Sequence, residues 1–156
     1  MSDYEATVQW TRKPDESFID NEYSRGHTWE FDGGAVIQAS SAPDIVPLPY
    51  SVAKNVDPEE ALIASLSSCH MLFFLGFSAK FGYTVDSYTD NALGTLGKTA
   101  SGKTAFSKIV LRPSITFSGD NQPDTKTIET LHTKSHDYCF IANSLNCDVV
   151  IKPVST

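Results

Sequence analysis

The sequence predicts a single α+β domain, 1–156, in which antiparallel strands at both ends of the chain surround a long central buried helix. Two features carry that reading. Short alternating or β-branched runs cluster near both termini, and one long apolar stretch with helical spacing, Ala61 to Phe81, lies between them. A chain of 156 residues with 40% hydrophobic residues is long enough for one core. Its 19 Asp and Glu against 12 Lys and Arg give a net charge of -7. That balance offers no footprint for nucleic acid or for an anionic membrane surface.

Ala6-Thr7-Val8-Gln9-Trp10-Thr11 reads as a first strand. Thr28 to Phe31 and Ala35 to Ala39 then flank Asp32-Gly33-Gly34, a hairpin signal. From Ser40 to Asn55 the chain carries Pro43, Pro47 and Pro49. Proline lacks an N–H and fits neither a helix interior nor a central strand, so a long loop is expected, placed to close over a neighbouring pocket.

Val56-Asp57-Pro58-Glu59-Glu60 is a helix start in sequence form: Asp57 as N-cap, Pro58 in the first helical position, Glu60 closing a capping box. The helix is expected to run to about Phe81, with Leu62, Leu66, Cys69 and Phe73 on one stripe and Ile63, His70, Phe74 and Phe77 beside it. It is long enough to cross a bilayer, but Ser65, Ser67, Ser68, Cys69 and His70 put polar groups where the apolar centre would be. A helix buried in a protein core follows.

Thr84 to Thr95 and Thr104 to Phe117 read as two long strands joined by a glycine-rich segment. Asp124 caps a second helix with a face of Ile128, Leu131, Ser135 and Tyr138, ending near Cys139, and Asn146 to Val154 forms a last strand. Gly97 to Thr104 matches the phosphate-binding pattern G-x-x-x-x-G-K-[ST]. That chemistry needs a helix opening at the Lys-Thr pair, whereas Ala105 to Pro113 reads as a strand, so a hairpin turn is expected.

Met1 to Glu5 contains acids and no apolar run of the kind a signal peptide requires, so the expected localisation is cytoplasmic. There thiols are kept reduced, and three cysteines are not a disulfide framework. Cys147 alternates with apolar residues on the last strand and reads as a structural thiol. Cys69 sits in Ser67-Ser68-Cys69-His70 and Cys139 in His136-Asp137-Tyr138-Cys139-Phe140, each at a polar break in a helix. The two could form a redox pair. A reactive thiolate in an apolar helix needs a cation. His70 points about 100° away from Cys69 around the helix and is no obvious partner.

Three segments in order, Tyr23-Ser24-Arg25-Gly26-His27-Thr28-Trp29-Glu30-Phe31-Asp32-Gly33-Gly34, Val56-Asp57-Pro58-Glu59-Glu60 leading to Ser67-Ser68-Cys69-His70-Met71, and His136-Asp137-Tyr138-Cys139-Phe140-Ile141-Ala142-Asn143-Ser144, resemble the OsmC/Ohr family over nearly the whole chain. The resemblance implies an OsmC-like fold assembled as an intertwined homodimer. It also implies a peroxidatic cysteine, here Cys69, resolved as a disulfide by Cys139. The activating arginine would be Arg25, held by Glu59. An organic hydroperoxide would be the substrate, and an external dithiol of lipoyl type the reductant. No cofactor or metal is expected. Phe73, Phe77 and Tyr138 are candidates for an apolar substrate pocket, with a core role as the alternative.

One constraint is geometric. Ten residues along a helix span about 15 Å, so Glu59 cannot approach Cys69 along one straight helix. Either the arginine bridges the gap or the glutamate comes from a second chain, which again predicts a homodimer. Other readings are a non-catalytic binder of small apolar molecules, a metal site from Cys69, His70, His136 and Cys139, and a cysteine hydrolase, for which no oriented histidine is evident.

Overall fold

The computed structural model describes residues 2–154. It separates into two compact units, Met1–Ala61 and Leu62–Thr156.

In the first unit β1 (Ala6–Gln9), β2 (His27–Phe31) and β3 (Val36–Ala39) form an antiparallel sheet in that order, with Val8 and Ile37 both opposite Trp29. The β2–β3 turn is closed by the Gly34 N–H on the Phe31 carbonyl at 2.9 Å, and Gly34 stands at φ 84, where a Cβ would be strained. The proline-bearing loop is pinned rather than free. Ser40 N–H donates to the Val56 carbonyl at 3.0 Å, Val56 N–H to the Gln38 carbonyl at 3.0 Å, and Val52 N–H to Ser40 Oγ at 2.9 Å. The expected capping box forms: Asp57 Oδ1 accepts from the Glu60 N–H at 2.7 Å, and Glu60 Oε2 accepts from the Asp57 N–H at 3.4 Å. It opens α1, Pro58–Lys80.

In the second unit α1 ends in a Schellman motif, with Tyr83 N–H on the Ser78 carbonyl at 2.9 Å and Gly82 N–H on that of Ala79 at 3.0 Å. Four strands follow: β4 (Thr84–Asp90), β5 (Leu93–Lys98), β6 (Thr104–Leu111) and β7 (Pro113–Ser118). The two long strands expected from the sequence are thus each broken. They form one long hairpin bent at a corner, since the register Asp90↔Pro113 continues unshifted as Leu93↔Val110. At the corner Asp90 Oδ1 accepts from the Arg112 N–H at 2.6 Å, Arg112 Nε donates to the Asn91 carbonyl at 2.6 Å, and Pro113 has no N–H for a continuing ladder. The phosphate-loop look-alike is the hairpin's turn, where Thr99 N–H meets the Lys103 carbonyl at 2.8 Å.

Helix α2 (Thr125–Tyr138) has Asp124 Oδ1 accepting from the Thr127 N–H at 2.8 Å, as the sequence predicts. A short 3-10 turn, Ala142–Ser144, leads to β8 (Asp148–Ile151). β8 runs parallel to β6, the one exception to the antiparallel pairing among the described strands, because the crossover through α2 returns the chain in the same direction.

The core joins Leu66 of α1 to Ile109 and Leu111 of β6 and to Cys139. Gly94 on β5 makes this packing possible: a Cβ there would lie 2.5 Å from the Phe106 ring and 2.7 Å from Ile63. Along α1 the sealed stripe is Leu66, His70, Phe74 and Ser78, one residue every four. Phe74 packs on Tyr88, Phe117 and His132, with ring centroids 5.7, 6.4 and 4.5 Å away. The helix is long and apolar enough to cross a membrane by length and composition alone, yet the stripe it buries carries an imidazole and a hydroxyl.

Candidate active site

Cys69 lies beside the sealed stripe, packed against the core cluster of Leu66 and Cys139, where α1 forms one wall of a cavity of about 440 Å³. The remaining wall is Ser65, Ser68, Leu72 and Phe73 from the same helix, with Phe140 and Ile141 from the segment after α2. A cavity of that size and apolar lining suits a small organic molecule. Phe73 lies edge-on to Phe140 at 5.3 Å; Phe77 and Tyr138 pack behind Phe73, edge-on to each other at 5.5 Å, without lining the cavity. Phe74 belongs to the core.

The end of α2 delivers the second sulfur. Cys139 is the helix C-cap, its N–H on the His136 carbonyl at 3.2 Å, and its Sγ accepts from the Ala142 N–H at 3.4 Å. Burial, followed by a hydrogen bond to Cys69, pushes the Cys139 thiol up to about 11. At neutral pH it therefore keeps its proton. All three cysteines are free thiols, and Cys147 is half-buried against the same core cluster. The structure thus brings Cys69 and Cys139 together. None of the residues around their cavity carries a charge.

Arg25 and Glu59 are found in the first unit, on the wall of a second cavity of about 490 Å³ with Trp10, Phe18, Tyr23 and His27. The guanidinium carbon sits 3.7 Å over the Tyr23 ring, and Nη1 donates to the carbonyls of Asn21 and Tyr23. The Arg25 N–H donates to the Tyr50 carbonyl at 2.8 Å, and the Arg25 carbonyl meets His27 Nδ1 at 2.8 Å. The proline loop and the strand behind it thereby fix this arginine from both sides.

His70 does not join Cys69. Its Nε2 lies 3.0 Å from His132 Nδ1, inside the protein. Among the described residues no group of three or more His, Cys, Asp or Glu side chains is arranged to hold a metal ion. Sequence reasoning passed over His132; its only signal is a histidine four residues before His136 on one helical face. Trp10, expected in the first strand, and Phe18, which no motif singles out, also line the second cavity.

A family model described as OsmC-like protein matches residues 52–154. The chain belongs to the OsmC-like family. It is similar to the solved structure of an OsmC-like protein of unknown function from Vibrio cholerae, with 55% identity over 99% of this chain and 100% of that one, at a TM-score of 0.97. Two further structures share the fold at low identity. One is an organic hydroperoxide resistance protein from Elizabethkingia anophelis (14% identity, 100% and 96% of the two chains, TM-score 0.70). The other is an organic hydroperoxide resistance protein, OhrB, of Bacillus subtilis (15% identity, 98% of each chain, TM-score 0.61). No curated protein matches this OsmC-like chain. The α+β, OsmC-like architecture read from the sequence is borne out.

Proposed function

We propose that this OsmC-like protein is a thiol-dependent peroxidase that reduces organic hydroperoxides. The observation that carries the reading is Cys69 on the wall of an apolar cavity, packed against the core cluster that holds Cys139. Membership of the OsmC-like family supports it, as does the fold shared with organic hydroperoxide resistance proteins.

In this mechanism the Cys69 thiolate attacks the terminal oxygen of ROOH. The O–O bond breaks, an S–O bond forms, and the alkoxide leaves, taking a proton to become the alcohol. Cys139 sulfur then attacks the sulfenic acid: the S–O bond breaks, the disulfide forms, and the hydroxide leaves with the Cys139 proton as water. An external dithiol of lipoyl type exchanges into the disulfide and restores both thiols. Cys139 stays a thiol until its partner is oxidised, which keeps the cavity open to substrate. Phe73 and Phe140 favour a substrate with an apolar tail, and Phe77 and Tyr138 hold Phe73 in place.

Because the thiol cavity has no charge of its own, the cation that favours the thiolate comes from outside it. Arg25 is our candidate, with Glu59 on the wall of the same cavity, both supplied by a second copy in a cytoplasmic homodimer. Half-open apolar residues on α1, with Leu72 at 62% exposure, support an apolar partner surface there.

The test is a thiol map by mass spectrometry after one equivalent of cumene hydroperoxide. A Cys69–Cys139 disulfide is expected in the wild type, and in Cys139→Ser a Cys69 sulfenic acid trapped by dimedone. Unchanged peroxide consumption in Cys69→Ser would overturn the reading, and no consumption by the wild type would favour a binder of apolar molecules.

A further inference from the structure

A buried hydrogen bond between two histidines ties the two helices that carry the thiols. His70, next to Cys69 on α1, and His132, seven residues before Cys139 on α2, are 1% and 3% exposed. His70 Nε2 and His132 Nδ1 are 3.0 Å apart, and the rings lie within 9° of parallel. His132 Nε2 is sealed without a partner, as is His136 Nδ1 one turn further along α2. Other contacts between α1 and α2 are made by ring faces: Phe73 and Phe77 on Tyr138, Phe74 on His132, and Lys134 over Phe77.

Those two kinds of contact differ in what they specify. Aromatic faces tolerate sliding, and a slip of α2 by one turn, about 5.4 Å, would leave one ring packed on another. The imidazole bond has one register. Breaking it strands two polar rings inside the core, and a buried polar group without its partner is costly. An apolar pair would have filled the same space, so the polar pair is best explained by what it fixes.

We propose that the His70–His132 hydrogen bond is a positioning pair that sets the register of α2 on α1, so that Cys139 meets Cys69 when the disulfide closes. The redox role of the thiols rests on the function proposed above; the register effect on closure does not, because any two-electron thiol oxidant can drive it. The titratable groups whose charges reach the pair are His136 from α2 and Asp90 from β4. Burial lowers His70 and His132 each to about 4; the charge of His136 adds to this at His70 and that of Asp90 opposes it. Both rings are therefore neutral near pH 7, one donating and one accepting. A histidine depressed in the folded state favours folding above its unfolded value near 6.5, and that contribution is lost as pH falls toward 4. Once both rings are protonated each has only donors, and the bond cannot exist.

The experiment is closure of the Cys69–Cys139 disulfide by one equivalent of diamide, which takes up two electrons and two protons to become the hydrazine. It is read by non-reducing mass spectrometry beside the rate of Cys69 alkylation by iodoacetamide. His70→Phe and His132→Phe should close on the order of tenfold more slowly with alkylation unchanged, because the nucleophile is intact and only its partner is misplaced. His70→Gln and His132→Asn, which restore a polar atom near the lost nitrogen, should close at close to the wild-type rate. Folded Phe variants that close as fast as the wild type overturn the proposal. If the Phe variants fail to fold, the decisive comparison is the wild type against the His70→Gln/His132→Asn double variant from pH 8 to pH 4. The wild type should fall behind as its rings titrate, and coincident profiles overturn the proposal. Failure of peroxide consumption leaves this test standing, and normal peroxide consumption does not rescue it.

Discussion

The two units differ in what they bury and in what chemistry they hold. The second has a core of large side chains, Leu66, Phe74, Ile109, Leu111 and Leu131. The buried hydrophobic residue of the first, among those described, is Ala39, while Val8 and Val36 on its sheet stand 66% and 54% exposed. Their cavities divide the chemistry in the same way. The second holds the Cys69 thiol among apolar and hydroxyl side chains, with Cys139 in the core cluster behind it; the first holds Arg25, His27 and Glu59 among aromatic rings, with no sulfur. A thiol in low-dielectric surroundings keeps its proton unless a positive charge is brought to it. The nucleophile and the groups able to activate it are thus carried on separate pieces of the chain, and the piece with the charges is the one with the least core of its own.

The comparison breaks first at Arg25. If this residue activates Cys69, Arg25→Met should lower the second-order rate with cumene hydroperoxide by on the order of 10²-fold, the scale of removing one charge-stabilising donor from a reacting centre. Arg25→Lys should retain part of the rate, since it keeps the charge but loses the planar fork. Far-UV circular dichroism should be unaltered in both. A full rate in Arg25→Met would assign activation to another cation.

Next in size is the difference in packing. Gly94→Ala forces a methyl into space held by Phe106 and Ile63, and should destabilise the protein by about 1–3 kcal/mol, seen as a lower urea midpoint with the slope unchanged. Gly33→Ala, in the turn of the first unit, meets nothing within 4 Å and should leave the midpoint within about 0.5 kcal/mol of wild type. Equal effects at the two glycines would mean that the helix and β5 are not close-packed in solution.

What was legible in the sequence follows the range of the forces involved. The Asp57–Glu60 capping box, the Asp124 cap and the Asp32-Gly33-Gly34 turn are each decided within four residues, and each forms as read. The corner of the long hairpin escaped, because Asp90 and Arg112 are 22 positions apart and only their pairing marks where both strands bend. The His70–His132 bond escaped for the same reason at a separation of 62. Neither residue has a neighbour in sequence that announces the other. The Cys69–Cys139 pair was singled out by local polarity in two helices, but its pairing came from resemblance to a family, and the contact itself is visible only in the folded chain.

The smallest effect is also the sharpest test of how charge reaches the thiol. By the mechanism proposed, Cys69→Ser chains are inactive and Arg25→Met chains retain on the order of 1% of the wild-type rate. Mixed in equal amounts under conditions that allow subunit exchange, about half of the dimers are hybrids by random pairing. If Arg25 serves the Cys69 of the other copy, each hybrid has one complete site, with an intact thiol from one chain and an intact guanidinium from the other, and one site lacking both. The mixture should then regain about one quarter of the wild-type rate, given two independent sites in each symmetric dimer. If Arg25 serves the Cys69 of its own chain, no hybrid contains a complete site and the mixture does not exceed the rate of the Arg25→Met parent. Adding Glu59→Gln separately to each parent refines the result. When the glutamate acts with the arginine of its own chain, the substitution weakens recovery in the Cys69→Ser parent, which supplies the guanidinium, and is silent in the Arg25→Met parent.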